Sequence, residues 1–280
     1  MLDINKIKSR LNSLNNTNQK SNLLWKPVPG KQEIRIVPYK FCPDNPFSEL
    51  KFHYGLNGKT YLSPDSFGRP DPIVEFAARL KMSGDKEEWK LSRKMEPKMR
   101  TFAPVLVRGA EHEGVKFWGF GKQVYQELLS IMSDPDYGDI TDLAKGRDIV
   151  VEFKTAEETG KQFPETTIRV KPNTKPAVDP TNKDLLEKIS NQTNLLDLFP
   201  ELSYDELKAV MDVWLHPEEG ESQVDPDILA AANAVGVSLS TDTTSTSIVS
   251  TKPVVAATTI SSVKTDDVAK AFDDLFASKK

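Results

Sequence analysis

The sequence predicts an α+β fold with a mainly β core, and three observations predict it. Short alternating apolar and polar segments recur up to about residue 175, Asn57-Gly58 joins two of them as a tight hairpin, and apolar residues at helical spacing interrupt them twice. In order, a strand, a hairpin, a helix, two strands, a helix and a final hairpin give the succession of an OB fold. That is a five-stranded Greek-key barrel whose face and loops bind oligonucleotides. Other small β-barrels and sandwiches share the order. The first helix falls in a small inserted subdomain, and further helices near the C-terminus are peripheral.

Each element has a local reason. Ile34 and Ile36 alternate with Arg35 in a strand over 32–39, closed by Pro38 and the Pro43, Pro46 loop. Residues 50–56 and 59–62 flank Asn57-Gly58. Pro72 suits a first helical turn, and Ile73, Phe76, Ala77 and Leu80 share one face of a helix over 71–82. A charged stretch, 85–100, precedes strands over 101–107 and 115–120. The helix over 122–133 places Val124, Leu128, Leu129 and Met132 together, and 147–154 pairs with 165–171 around Thr159-Gly160. Pro172, Pro176 and Pro180 break the pattern before helices at 181–190, 203–215 and 226–235.

Charge is unevenly spread behind a formal net charge of -4: residues 1–122 hold 22 Lys+Arg against 13 Asp+Glu, whereas residues 176–280 hold 8 against 18. A basic front suggests a polyanion partner, and an acidic back suggests a docking segment. The single cysteine, Cys42, excludes an internal disulfide and any multi-Cys zinc site and fits a reducing cytoplasm. No run reaches the roughly 18 apolar residues of a membrane span, and the N-terminus lacks the apolar stretch of a signal peptide.

An enzyme reading finds little support. His53, His112 and His216 are far apart, without Cys or His at metal-ligand spacing, and no Gly-rich phosphate loop or nucleophile elbow occurs. The acidic run Asp134-Pro135-Asp136-Tyr137-Gly138-Asp139 could hold a divalent ion for a nuclease, yet it misses the EF-hand pattern and reads better as a loop after a helix. A stronger signal is the interleaving of cations and aromatics on strands. Arg35, Lys59, Lys98, Arg100, Lys116 and Lys122 are expected to neutralise phosphates, and Tyr54, Phe102, Trp118 and Phe120 to meet bases, with Phe117 facing the core. Any one aromatic packs in a core as readily as it stacks on a base. A duplex hides its base faces, so such a surface favours single strands and reads little sequence.

Several of these motifs, in order, carry a family resemblance. Trp25-Lys26, Ile34-Arg35-Ile36-Val37-Pro38, Asn57-Gly58-Lys59, Phe102-Ala103-Pro104-Val105-Leu106-Val107 and Val115-Lys116-Phe117-Trp118-Gly119-Phe120-Gly121-Lys122 resemble the helix-destabilising single-stranded DNA-binding proteins of T-even-type bacteriophages. The resemblance covers about residues 1–175 and returns in the tail. It implies a non-enzymatic, sequence-nonspecific protein, without cofactor, that coats and protects strands cooperatively in replication, recombination and repair in the cytoplasm of an infected bacterium. The alternative is an interaction adaptor whose barrel binds no nucleic acid.

The implied layout is a basic self-association arm at 1–22 carrying Lys6, Lys8 and Arg10, and a strand-binding OB core at 23–175. A helical segment at 176–237 packs on or beside that core, a Ser/Thr-rich tether spans 238–264, and an acidic amphipathic tail occupies 265–280. In the tail, Asp266, Asp267, Phe272, Asp273, Asp274, Leu275 and Phe276 would recruit replication and recombination proteins. Two departures stand out. The tail ends in Lys279-Lys280, and the family's structural zinc, held by a His and three Cys with the last two as Cys-Pro-x-Cys, has lost its ligands. His53 stands at the His position, but Asp71-Pro72-Ile73-Val74 replaces Cys-Pro-x-Cys. No metal is expected, and the subdomain should rest on packing of Ile73, Phe76 and Leu80.

Overall fold

Turn residues close the alternating segments where the sequence places them. In the computed structural model, which describes residues 22–216, Asn57 and Gly58 take φ of 51° and 70°, the left-handed pair a two-residue hairpin demands. They join β3 (Ser48–Leu56) to β4 (Lys59–Leu62), preceded by β1 (Leu24–Trp25) and β2 (Gly30–Ile36). Asp71 then starts α1 (Pro72–Met82): its side chain accepts from the N–H groups of Ile73 and Val74, and Pro72 occupies the first turn.

The charged stretch that follows is largely helical. It contains α2 (Lys86–Met95), whose N-cap Asp85 accepts from the N–H groups of Glu87 and Glu88. Leu91, Ser92 and Met95 are buried on its inner face, while acids in its first turn and Arg93 and Lys94 in its last complement the helix dipole. Beyond it lie β5 (Lys98–Val107), β6 (Lys116–Phe120), α3 (Lys122–Ser133), β7 (Arg147–Lys154), the one-turn α4 (Ala156–Thr159), β8 (Glu165–Thr174), α5 (Lys183–Ser190) and α6 (Tyr204–Leu215). Gly160, with φ 63°, ends α4 and turns the chain toward β8.

The result is the expected α+β protein with a mainly β core. Six strands run in the order β1-β6-β5-β2-β7-β8; β1 lies parallel to β6, and the remaining neighbours in that order are antiparallel. Chain compactness divides the protein into two units. The first takes in the described residues up to Leu50 together with Met99–Leu198, and the second takes in Lys51–Lys98 with the described residues from Phe199.

In the first unit, Ile34, Ile36, Ala103, Val105, Trp118, Phe120, Ile149 and Val151 from the strands meet Val124 and Leu128 of α3. A smaller cluster sets Val37, Leu106 and Val115 against Ala177, Val178 and Ile189, so α5 packs here. In the second unit, Ile73, Phe76 and Leu80 do form the expected packing, with Leu91 and Met95 of α2 and Leu207, Val210 and Met211 of α6. The self-association residues Lys6, Lys8 and Arg10, the helix at 226–235, the tether and the acidic tail residues from Asp266 to Phe276 lie outside the described residues. No helix among the described residues is long and apolar enough to cross a membrane.

Candidate nucleic-acid interface

Strand β6 carries the densest expected cluster, and its surroundings decide what each residue can do. Trp118 is 1% exposed and Phe120 3%; their ring centroids lie 4.6 Å apart inside the first unit's core, and Trp25 meets Trp118 edge-on at 5.7 Å. Phe117, on the opposite face, is also buried, 5.7 Å from the Tyr39 ring in a T-shaped contact. Both faces of β6 are therefore covered. Alternation here separates two buried sides instead of a core from a surface, so the assignment of Trp118 and Phe120 to base stacking is corrected.

Phe102 is corrected for a related reason. It pairs with Gly119 across β5 and β6, and its ring lies where a side chain at 119 would be: a Cβ there would come 2.8 Å from Phe102 Cε1. The ring is 4% exposed and presents no face to a base. Arg35 is corrected too. It is completely buried in β2, its Nη2 2.9 Å from Asp148 Oδ1 and its Nη1 donating to the Asp142 carbonyl at 3.3 Å. Burial pushes this guanidinium below its ordinary value while Asp148 opposes the shift. Arg108 binds the same Asp148 oxygen at 2.6 Å, and a Cβ at Gly146 would collide with the Asp142 carbonyl and lie 2.6 Å from the Ile140 carbonyl and 3.0 Å from Arg35 Nη1. The side chain cannot reach a phosphate.

The remaining cations keep access to solvent. Arg100, half-buried, donates from Nη2 to the Gly119 carbonyl at 2.9 Å, and exposed Lys122 opens α3. Because Thr101 pairs with Phe120, Arg100 and Lys122 share one end of the β5/β6 ladder. Lys116, ion-paired with Glu113, sits toward the other end, opposite Val105. In the second unit Lys98 is exposed, Lys59 is half-buried and held below the ordinary lysine value by that burial, and Tyr54 tilts against Phe52 at 6.2 Å.

Sequence reasoning missed a different set of rings, exposed or half-buried, that carry a cation over one face. In the second unit Phe67, 37% exposed, has the Arg69 guanidinium 4.8 Å from its centroid, and Trp89, 50% exposed, has that of Arg93 at 5.6 Å. In the first unit exposed Phe41 lies under Lys40 at 5.9 Å, and half-buried Tyr137 under Arg147 at 5.7 Å. The Trp89 and Arg93 pair has a sequence signal, the four-residue spacing of one helix face. It is readable only once 86–95 is taken as helix.

The acidic loop has other work. Asp134 accepts from the Asp136 N–H, Asp139 from Thr141 and Asp142 from Ala144 and Lys145, turn-forming bonds that occupy the carboxylates. Among the described residues no three His, Cys, Asp or Glu side chains are grouped to hold a metal ion.

Compared with known proteins, residues 29–212 match the family model of the gp32 DNA binding protein like group, well over half of the chain. The chain belongs to the gp32-like DNA-binding protein family. No curated protein matches it. The gp32-like match takes in parts of both units, from the start of β2 into α6, so the cation-covered rings and the β5/β6 ladder all lie within the matched residues. This is a family of DNA-binding proteins and not one of enzymes.

Proposed function

We propose that this chain binds single-stranded DNA without sequence preference, coats it cooperatively and acts stoichiometrically, without catalysis or cofactor, on an OB-type core. The observation that carries the reading is the exposed ring with a guanidinium over it, at Phe67 with Arg69 and at Trp89 with Arg93. A base unstacked from a single strand can lie on such a ring while the cation attends the neighbouring phosphate. Duplex DNA offers no free base face, which gives the preference for single strands. Tyr54 is a further stacking surface, and Lys59, Lys98, Arg100, Lys116 and Lys122 track the backbone.

The basic arm at 1–22, through Lys6, Lys8 and Arg10, joins neighbours on the strand, and the acidic tail at 265–280 recruits replication and recombination proteins in an infected bacterial cytoplasm. Tryptophan fluorescence during titration with oligo-dT tests the central claim. Quenching should be strong with single strands, weak with duplex, and largely lost in Trp89→Phe. Equal binding to duplex, or quenching unchanged in that variant, overturns it.

A further inference from the structure

The second unit holds a buried polar cluster apart from the exposed rings described above. Asp71 Oδ1 accepts from the Ile73 and Val74 N–H groups at 2.9 and 3.2 Å, and its Oδ2 accepts from Ser63 Oγ at 2.5 Å and meets His53 Nε2 at 2.9 Å. The other ring nitrogen, His53 Nδ1, lies 2.9 Å from the Met95 carbonyl. His53, Ser63 and Asp71 are all essentially excluded from solvent. Each belongs to a different piece of chain: β3, the N-cap of the 3-10 turn Pro64–Phe67, and the cap of α1, while Met95 is the last residue of α2. One carboxylate and one imidazole thus fasten four segments.

The family resemblance implies zinc at this place, and the residues do not fit it. A structural zinc takes four nitrogen or thiolate donors. Here the donors are one imidazole, one hydroxyl and one carboxylate, with apolar Val74 where a fourth ligand would stand. The imidazole and the hydroxyl both bond one carboxylate oxygen, Asp71 Oδ2, so that oxygen fills the point on which a metal's donors would converge.

We propose that the His53–Asp71–Ser63 cluster is the cross-link that closes the second unit in place of a metal, by hydrogen bonds instead of coordination. The full-length chain, purified without added metal, tests this by thermal melting. Neither EDTA nor equimolar zinc sulfate should move the transition. Asp71→Ala, which strands a buried imidazole and frees a helix cap, should lower it by about 5 °C or more. Asp71→Asn keeps an acceptor for the cap and an N–H for the ring and should lower it less; Ser63→Ala should fall between them.

The converse variant, Ser63→Cys/Asp71→Cys/Val74→Cys with His53 retained, should take up one zinc per chain by native mass spectrometry and become EDTA-sensitive. Stoichiometric zinc or an EDTA-lowered melt in the unmodified protein overturns the proposal. So do Ser63→Ala and Asp71→Asn proteins that melt like the parent, a test that stands if Asp71→Ala does not fold. Absence of zinc uptake by the triple variant would show that these positions cannot converge on a metal, and overturns the claim that the cluster stands in a metal's place.

Discussion

Two tryptophans on this chain have opposite fates. Trp118 contributes through burial, so Trp118→Ala should cost about 3–5 kcal/mol of stability, read by denaturant unfolding, with affinity for strands kept in whatever fraction folds. Trp89 is half-exposed on α2, and Trp89→Ala should leave stability nearly unchanged while weakening oligo-dT binding by about 1–3 kcal/mol. Phe67→Ala should behave like the second. Asp71 gives a pH dependence. Burial raises its carboxyl, but hydrogen bonding and charge from His53, with bonds from Ser63 and the Val74 N–H, outweigh burial and leave it below the usual Asp range. A carboxyl lower in the folded than in the unfolded chain stabilises fully above its unfolded value, about 3.9, and loses that contribution as pH falls from there through its lower folded value. Acid unfolding followed by circular dichroism should show this loss, and Asp71→Asn should lack it.

Among the elements, the β5/β6 pair offers the sharpest test. Gly119→Ala must displace the Phe102 ring and should destabilise by about 1–3 kcal/mol, whereas Phe102→Leu with Gly119→Ala should recover part of that loss. What could be read in the sequence follows from how many independent signals each element has. The β3/β4 hairpin has Asn-Gly and alternation, and α3 has an unbroken apolar stripe; both lie where expected. Helix α2 has so few apolar residues between its charges that its stripe disappears, although Asp85 and its charge order were there to be used. Strand β6 fails in the other direction, because apolar residues on both faces make alternation uninformative about which face is solvent. The proposed interface is legible in the sequence only as a composition of rings and cations. Which rings stay outside depends on packing partners distant in sequence, such as Ile34 and Leu128 around Trp118.

For the whole molecule, charge asymmetry sets the expectations. Strand affinity should fall steeply with salt, and each phosphate contact removed, at Lys59, Lys98, Arg100 or Lys122, should reduce the logarithmic salt slope by roughly 0.7. Removing residues 1–22 should abolish cooperative coating while sparing binding to an oligonucleotide of one site size. Removing residues 265–280 should raise strand affinity at low salt and end partner recruitment, measured by anisotropy and pull-down; neither change would make the tail a passive end.

The charges buried beneath β2 and β7 obey a different rule. Mobile ions screen solvated charges over about 8–10 Å at ordinary ionic strength, but none can enter around Asp148, where Arg35 is sealed off and Arg108 nearly so. The protein therefore holds two electrostatic systems with separate responses to the same salt. Salt strong enough to release the protein from a strand should therefore leave its interior pairing intact, so that release and rebinding require no refolding between them.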